Sequence, residues 1–492
     1  MTKTSAPAAG AGAPHRATSV VVEANGINVV SEAERTGKAS DLFWPWFAAN
    51  VSIFGMSYGS WVLDFGISFR QAVSVAVAGA VISFFFCGVV ALAGKRGSAP
   101  TMTLSRAAFG VDGNKVPGVV SWALSIGWET VLTILATLAT ATIMERLGWG
   151  GGTATKLVAA LVVSALIVTF AVLGYATIMR LQSILTWLTG GLSVLYIAMT
   201  VDTIDLGAVT AIPDGPLTAV IGAFILVMTG FGVGWINISS DYSRYLPRSV
   251  PGRSVIGWNT LGGSVAPCIL VVFGLLLAGT SSDLREGISA DPIGALASLL
   301  PTWMLIPFLV VTVGGLVSGA VLGIYSSGLT LLSLGVRIPR ASAAFVDGTL
   351  LTLGTIYVVF FAGDFFGPFQ GFLITLGVPI AGWAGVMMAD ITLRRRDYDE
   401  VALFDRTGRY GSVNPVAVGL MLTGTLVGWG LVVNTYAGWL AWQGYLLGPV
   451  GLGGRDGDWA WANVGVLASL VIGYLGYLAL GRPAVQRQEH EV

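Results

Sequence analysis

Runs of about 20 predominantly apolar residues recur along this 492-residue chain, each long enough to cross a hydrocarbon core of about 30 Å as an α-helix. No other feature narrows the fold so far, because inside hydrocarbon every backbone N–H and C=O must find a partner within the protein. Continuous apolar runs meet that condition as helices, whereas a membrane β-barrel shows short segments that alternate in polarity. Composition agrees: 54% of residues are hydrophobic and 11% charged, against about 25% charged in a soluble domain. The chain is therefore expected to be an all-α polytopic membrane protein.

Twelve transmembrane helices are expected, at 43–65, 69–94, 116–144, 157–178, 184–201, 218–239, 255–279, 303–334, 345–362, 370–390, 414–435 and 460–481. With the N-terminus inside, 21 of the 26 Lys and Arg residues fall in inner segments, and only Arg70, Arg146, Lys156, Arg285 and Arg455 fall outside. The positive-inside rule then puts both termini in the cytoplasm, with the chain in a cell (inner or plasma) membrane. Residues 1–40 are polar and rich in Ala, Gly and Ser, with no apolar core of a signal peptide. They read as a disordered cytoplasmic tail, and 483–492 as a second one.

The first ten spans divide into two sets of five, 41–203 and 217–391, with two additional spans in 413–482. An odd number per half sends the second half into the membrane from the opposite side, as an inverted repeat requires. Both halves open on a glycine-interrupted segment. Span 1 reads "WFAANVSIFGMSYGSW", with Gly55 and Gly59, and span 6 reads "ILVMTGFGVGWINISSDY", with Gly230, Gly232 and Gly234. Each glycine costs a helix roughly 1 kcal/mol against alanine in water. Paired interruptions at corresponding places point to a transporter's binding site, where unwound backbone lines a protein-walled cavity. The same spacings also form G-x-x-x-G packing motifs, as does Gly315 with Gly319, so both readings stand for these glycines.

Span 3 carries Trp128 and Glu129 near the membrane centre. A carboxyl group there is costly, and desolvation disfavours its ionised form. Glu129 is thus a candidate proton carrier or a partner for a substrate N–H, with a structural polar network as the other reading. Trp128 offers a flat apolar face to a heteroaromatic ligand; Phe231 and Trp235 supply a second wall, and Asn237 a donor and an acceptor. Asp241, three residues before Arg244, reads as an interfacial ion pair. The run "DITLRRRDYDE" reads as an inner-face anchor against anionic lipid.

Several functions are set aside. A formal net charge of zero gives no footing for nucleic acid. Cys87 and Cys268 lie in apolar runs, and His15 and His490 in the tails, so neither a disulfide, a metal centre nor a clustered catalytic set is expected. The chain is not expected to be an enzyme or to need a cofactor, and a channel would show a polar ring instead of symmetric broken helices.

"GVGWINISSDYSRYLP" resembles the span-6 signature of the nucleobase–cation symporter family, in its purine–cytosine permease branch. "WFAAN" opening span 1, "LSRAAFG" (104–110), "IGWETV" (126–131), "GIYSSGL" (323–329) and "MMADITLRRRDYD" match in the same order, collinear from about residue 40 to 480. The resemblance implies the leucine-transporter-type fold, with spans 1, 2, 6 and 7 as a bundle rocking against a scaffold of spans 3, 4, 8 and 9. It implies that Trp128 stacks on the substrate and that an aromatic of span 6 faces it, Phe231 first and Trp235 second. Ser52, Gly55, Gly230 and Gly232 would address the ring's edge. It also shows departures: Gly319 and Ala320 stand where relatives carry an asparagine, and Glu129 where a neutral residue is expected. Sodium-dependent relatives place span-8 hydroxyls against span 1; here Thr312 and Ser318 remain, with Val313 and Gly314 between. The expected activity is import of a purine, cytosine or related flat nitrogen heterocycle by symport with H+ or Na+. An amino-acid, amine or vitamin-precursor symporter on the same fold is the alternative.

Overall fold

The computed structural model describes residues 27–172, 175–336 and 338–490, and of 175–181, 340 and 341 the backbone alone. The inner-side cations Lys3, Arg16 and Arg337, and His15, lie outside the described residues. The described chain is helical. Its first expected span is two pieces, α1 (Phe43–Asn50) and α2 (Phe54–Leu63). There follow α3 (Phe69–Gly97), α4 (Lys115–Arg146), α5 (Thr153–Val172), α6 (Tyr175–Thr200) and α7 (Leu217–Gly230). After a break come α8 (Gly232–Trp235), α9 (Gly252–Thr280), α10 (Thr302–Ser333), α11 (Arg340–Phe361) and α12 (Phe366–Leu393). The chain closes with α13 (Pro415–Gly430), α14 (Gly465–Leu480) and α15 (Arg482–His490).

Nine described helices are long and apolar enough to cross a membrane. The expected eleventh span is shorter than its apolar run, since α13 stops at Gly430 and 431–435 is not helical. The last expected span starts later, at Gly465, and α14 meets α15 at a 53° bend. Local chemistry sets several ends. At the start of α3, Ser68 Oγ accepts from Gln71 N–H and the Gln71 amide oxygen accepts from Ser68 N–H, a capping box. Lys95 and Arg96 occupy its last turn, where cations favour the negative end of the helix dipole. Asn414 caps α13 ahead of Pro415 at the first helical position.

The helices sort into two groups. α9 packs along α2 and α3, and α7 along α3, while α10 packs along α4 and α11 along α5. These are the bundle of spans 1, 2, 6 and 7 and the scaffold of spans 3, 4, 8 and 9. Close approach within the bundle depends on glycine. A Cβ on Gly274 of α9 would stand 1.9 Å from the Met56 carbonyl oxygen, and one on Gly59 of α2 would stand 2.2 Å from Leu275 N. Gly59 is therefore a packing residue.

Both expected tails hold structure in their described parts, while residues 1–26, 491 and 492 lie outside the described residues. From residue 27 the N-terminal segment docks on the ends of α3 and of span 6: Arg35 is 3% exposed and donates to the Leu246 carbonyl at 2.6 and 2.9 Å. Val30 N–H reaches Ser98 O at 2.8 Å, and Gly37 N–H reaches Tyr245 O at 3.2 Å. Arg248 joins Glu32 at 2.9 Å, Asp397 at 3.1 Å and Glu400. Its hydrogen bond holds the Glu32 carboxyl below the usual glutamate range, so this tie is present at neutral pH and is lost as pH falls through the lowered value. At the other end, 482–490 is helix α15. Arg394, expected as part of a lipid anchor, is instead buried against Asp390 at 2.8 Å.

Replacing Gly274 with valine should force α9 away from α2. Overpacking of this kind costs about 1–3 kcal/mol. A lowered melting temperature of the purified, ligand-free protein, monitored by size-exclusion fluorescence, is the expected outcome.

Candidate functional site

Two helix breaks face each other across the bundle. In span 6 the break falls at Phe231 (φ −114°, ψ −109°) between Gly230 and Gly232, where the sequence expects it. In span 1 it falls at 51–53, between α1 and α2. Gly55 and Gly59 lie inside α2, which corrects the expectation that they form the break. The backbone groups freed in span 6 are met by side chains, as burial requires. Tyr58 Oη donates to Gly230 O at 3.2 Å, Ser83 Oγ accepts from Gly232 N–H at 3.1 Å, and Cys87 Sγ donates to Gly232 O at 2.9 Å. At the span-1 break, Ser52 Oγ accepts from Phe54 N–H at 3.3 Å.

Between the breaks lies a cavity of about 750 Å³, including its open end. Trp128, Ser52, Gly55, Gly230, Phe231, Trp235, Ser318 and Gly319 all line it. The Trp128 and Trp235 rings are nearly parallel, 11° apart with centroids at 6.4 Å. Trp235, not Phe231, is the aromatic that faces Trp128. Phe231 turns at the break onto Tyr58, with ring centroids at 4.5 Å. On the α12 side Phe369 and Phe372 set their edges toward Trp128, at 5.7 and 5.9 Å.

Three expected site residues lie elsewhere. Gly232 packs on α3, where a Cβ would meet the Ser83 carbonyl carbon at 2.2 Å; it admits the break and does not reach the cavity. Thr312 is buried away from the lining. Glu129 sits behind the Trp128 wall in a small adjoining space shared with Ser125, Asn237, Gly319, Gly323 and Ser326. It is 0% exposed, and neither carboxyl oxygen has a hydrogen-bond partner. Gly323 makes room for it, since a Cβ there would stand 2.7 Å from Glu129 Cγ. Asn237 is committed to α4, its amide donating to Ser121 Oγ at 2.8 Å. Asp241 accepts from Thr101 N–H and Oγ, each at 2.8 Å.

Other lining residues come from α6: Gln182, Leu185, Thr186 and Thr189. Nothing in the period of that span distinguishes them from lipid-facing neighbours, so the sequence carries no signal for them. Gln182 and Thr186 continue into a second opening with Trp44, Pro45, Ala48 and Trp187, which leads along α1. On the opposite side Trp61 stacks on Phe365 and Phe366, at 6.0 and 4.9 Å, and Phe54 packs on Phe369 at 5.9 Å. An aromatic layer covers the cavity on the α2 and α12 side, and the second opening lies on the opposite side, along α1 and α6.

Comparison with known proteins agrees with this architecture. The sequence profile of a family described as permease for cytosine/purines, uracil, thiamine and allantoin matches residues 29–448. A Bacillus subtilis (strain 168) protein named as a purine-cytosine permease, YxlA, is 23% identical over 475 residues, covering 95% of this chain and 97% of its own. Among solved structures, Mhp1, a nucleobase-cation-symport-1 family transporter in a closed conformation with bromovinylhydantoin bound, superposes with a TM-score of 0.69 at 18% identity, over 96% of this chain and 100% of that one. Its inward-facing conformation gives 0.67 at 18% identity, over 95% and 98% of the two chains. A Na+-coupled sialic acid symporter gives 0.52 at 15% identity, over 91% and 93%. These likenesses establish the fold.

If the parallel indoles are the platform, Trp235→Ala should weaken binding of a flat ligand by about 1–3 kcal/mol, the worth of one base–aromatic stack. Phe231→Ala should instead lower thermal stability, because its ring supports Tyr58 at the break. Equilibrium binding and melting curves on the two variants separate these effects.

Proposed function

The chain belongs to the family of permeases for cytosine/purines, uracil, thiamine and allantoin, and from that premise we propose that it imports a nucleobase or related flat nitrogen heterocycle by proton symport. Permeation is by alternating access, the bundle rocking against the scaffold, in a cell membrane with both termini cytoplasmic. The observation that carries the reading is the pair of parallel indoles, Trp128 and Trp235, beside the broken backbone of spans 1 and 6. Trp128 is fixed to the scaffold and Trp235 to the bundle. A flat ring between them touches both moving parts, so its binding energy differs between open and closed states, which is what a ligand needs to shift a conformational equilibrium.

Glu129 supports H+ over Na+ as the coupling ion. It is a buried carboxyl with no hydrogen-bond partner, next in sequence to the stacking residue. The hydroxyls expected for sodium are divided, Ser318 on the cavity wall and Thr312 off it, with Val313 and Gly314 between them. Ser52, Ser318 and, from α6, Gln182, Thr186 and Thr189 are the polar side chains on the wall that could address a ring edge, since the freed backbone at Gly230 and Gly232 is already bonded to Tyr58, Ser83 and Cys87. Gly319 lies on the wall where an amide is absent, so part of the donor set that would discriminate one base from another is missing. That gap keeps amine, amino-acid and vitamin-precursor substrates as the second reading.

The test is thermal stability of the purified protein against nucleobases, hydantoins, allantoin, pyrimidine vitamins and amines, with and without sodium and across pH. A ligand that binds the native state raises the melting point by mass action. The expected outcome is stabilisation by a flat heterocycle that is indifferent to sodium and changes with pH, and loss of that pH dependence in Glu129→Gln. Stabilisation by amines alone would overturn the heterocycle reading. A shift that needs sodium would overturn the role given to Glu129.

A further inference from the structure

Below Glu129, toward the cytoplasm, the scaffold holds a second buried carboxyl that the transport reading leaves without a task. Asp347 of α11 is 0% exposed and lies two turns from the cytoplasmic start of its helix, about 10 Å. It accepts from Trp122 Nε1 of α4 at 3.0 Å and from Ser327 Oγ of α10 at 2.6 Å. Gly323, against which the Glu129 side chain packs, lies one turn before Ser327 on the same face of α10, so the same hydroxyl faces the side where Glu129 lies. One serine thus lies between a carboxyl with no partner and a carboxyl with two donors.

The surroundings decide where the proton rests. In the space around Glu129, α4 supplies Ser125, α10 supplies Ser326 and Gly323, and the span-6 side supplies Asn237; none of these is a cation. On the cytoplasmic continuation of span 6, Asp241 is held by Thr101, and Arg244 donates to Tyr245 and Tyr325 at 3.0 and 3.3 Å. Against Asp347, α5 presents Val168, which packs at the neighbouring Gly348. Charge on Asp347 is stabilised by its two donors, whereas charge on Glu129 has none, so the proton rests on Glu129; its transfer to Asp347 runs uphill and is drawn forward only as the proton is lost from Asp347 to the cytoplasm.

We infer that Glu129, Ser327 and Asp347 form a proton exit route through the scaffold, separate from the path of the substrate. As the Glu129 O–H bond breaks, a new O–H bond forms on Ser327 Oγ, while the hydroxyl's own proton passes to Asp347 Oδ2. The serine is unchanged, Glu129 becomes a carboxylate and Asp347 a neutral acid, from which the proton leaves to the cytoplasm. Substrate leaves between α1 and α6, so neither departure blocks the other. This rests on Glu129 being the proton site.

Infrared spectroscopy of the purified full-length protein tests both parts without a substrate. A protonated buried carboxyl gives a carbonyl-stretch band that Glu129→Gln should delete, and transfer into D2O reports how fast that proton exchanges. Ser327→Ala and Asp347→Asn should keep the band and slow its exchange by about tenfold or more, with melting temperatures near the parent's. Ser327→Thr should restore the rate. Unchanged exchange in both variants overturns the route while leaving the proton site intact. A parent protein with no band sensitive to Glu129→Gln overturns the proton site and the route together.

Discussion

Hydrocarbon offers no hydrogen bonds, so a helix can open at mid-membrane only where the protein supplies partners for the backbone it frees. Here the supply comes from the bundle itself. Tyr58 takes the Gly230 carbonyl, and Ser83 and Cys87 take the two ends of Gly232. Much else follows from those three bonds. They fix the break at Phe231, which sets Trp235 one turn further on and parallel to Trp128, and that pairing defines the cavity. Cys87, on sequence grounds only an apolar filler, is one of the groups that makes the open backbone tolerable.

Glycine acts in two ways in this structure, and the difference explains what could be read in advance. At Gly232 and Gly274 the missing Cβ lets one backbone lie on another, and elsewhere such as Gly323 it leaves room for a side chain. A sequence marks all of them alike. The break in span 6 was legible because glycines flank a polar stretch that cannot be a plain lipid-facing helix. In span 1 the glycines drew attention two to eight residues too far along, because the opening at 51–53 is held by Ser52 and by the end of α1, not by a glycine.

Most of the architecture was readable from hydropathy and charge, since membrane thickness and the requirement for internal hydrogen bonding leave few solutions. The candidate site was readable to the level of residue type. Trp128, Ser52, Gly55, Gly230, Phe231, Trp235 and Gly319 line one cavity, and Ser318, expected to help hold the coupling ion, lines it too. The order of preference between Phe231 and Trp235 was not recoverable, because it depends on a single pair of backbone angles. Nor was the position of Glu129 behind the wall. Adjacent helix positions point about 100° apart, so a residue next to the stacking tryptophan must face a different neighbour. The α6 residues that complete the cavity are invisible for a related reason: small hydroxyl residues on a span facing lipid and on one facing a cavity look the same.

The docking of residues 27–38 changes where the folded unit begins. Arg35 donates to the main-chain oxygens of Leu246 and Lys95 out of reach of solvent, while the exposed Glu32 pairs with both Arg35 and Arg248, and Arg248 also gathers Asp397 and Glu400 at a partly exposed surface. Ionic strength screens the second set and scarcely touches the first. A trimmed form that starts at the first apolar helix would leave the Leu246 carbonyl and the Ser98 carbonyl at the end of α3 without their donors. The minimal permease therefore includes a polar strap that no hydropathy scale would assign to it.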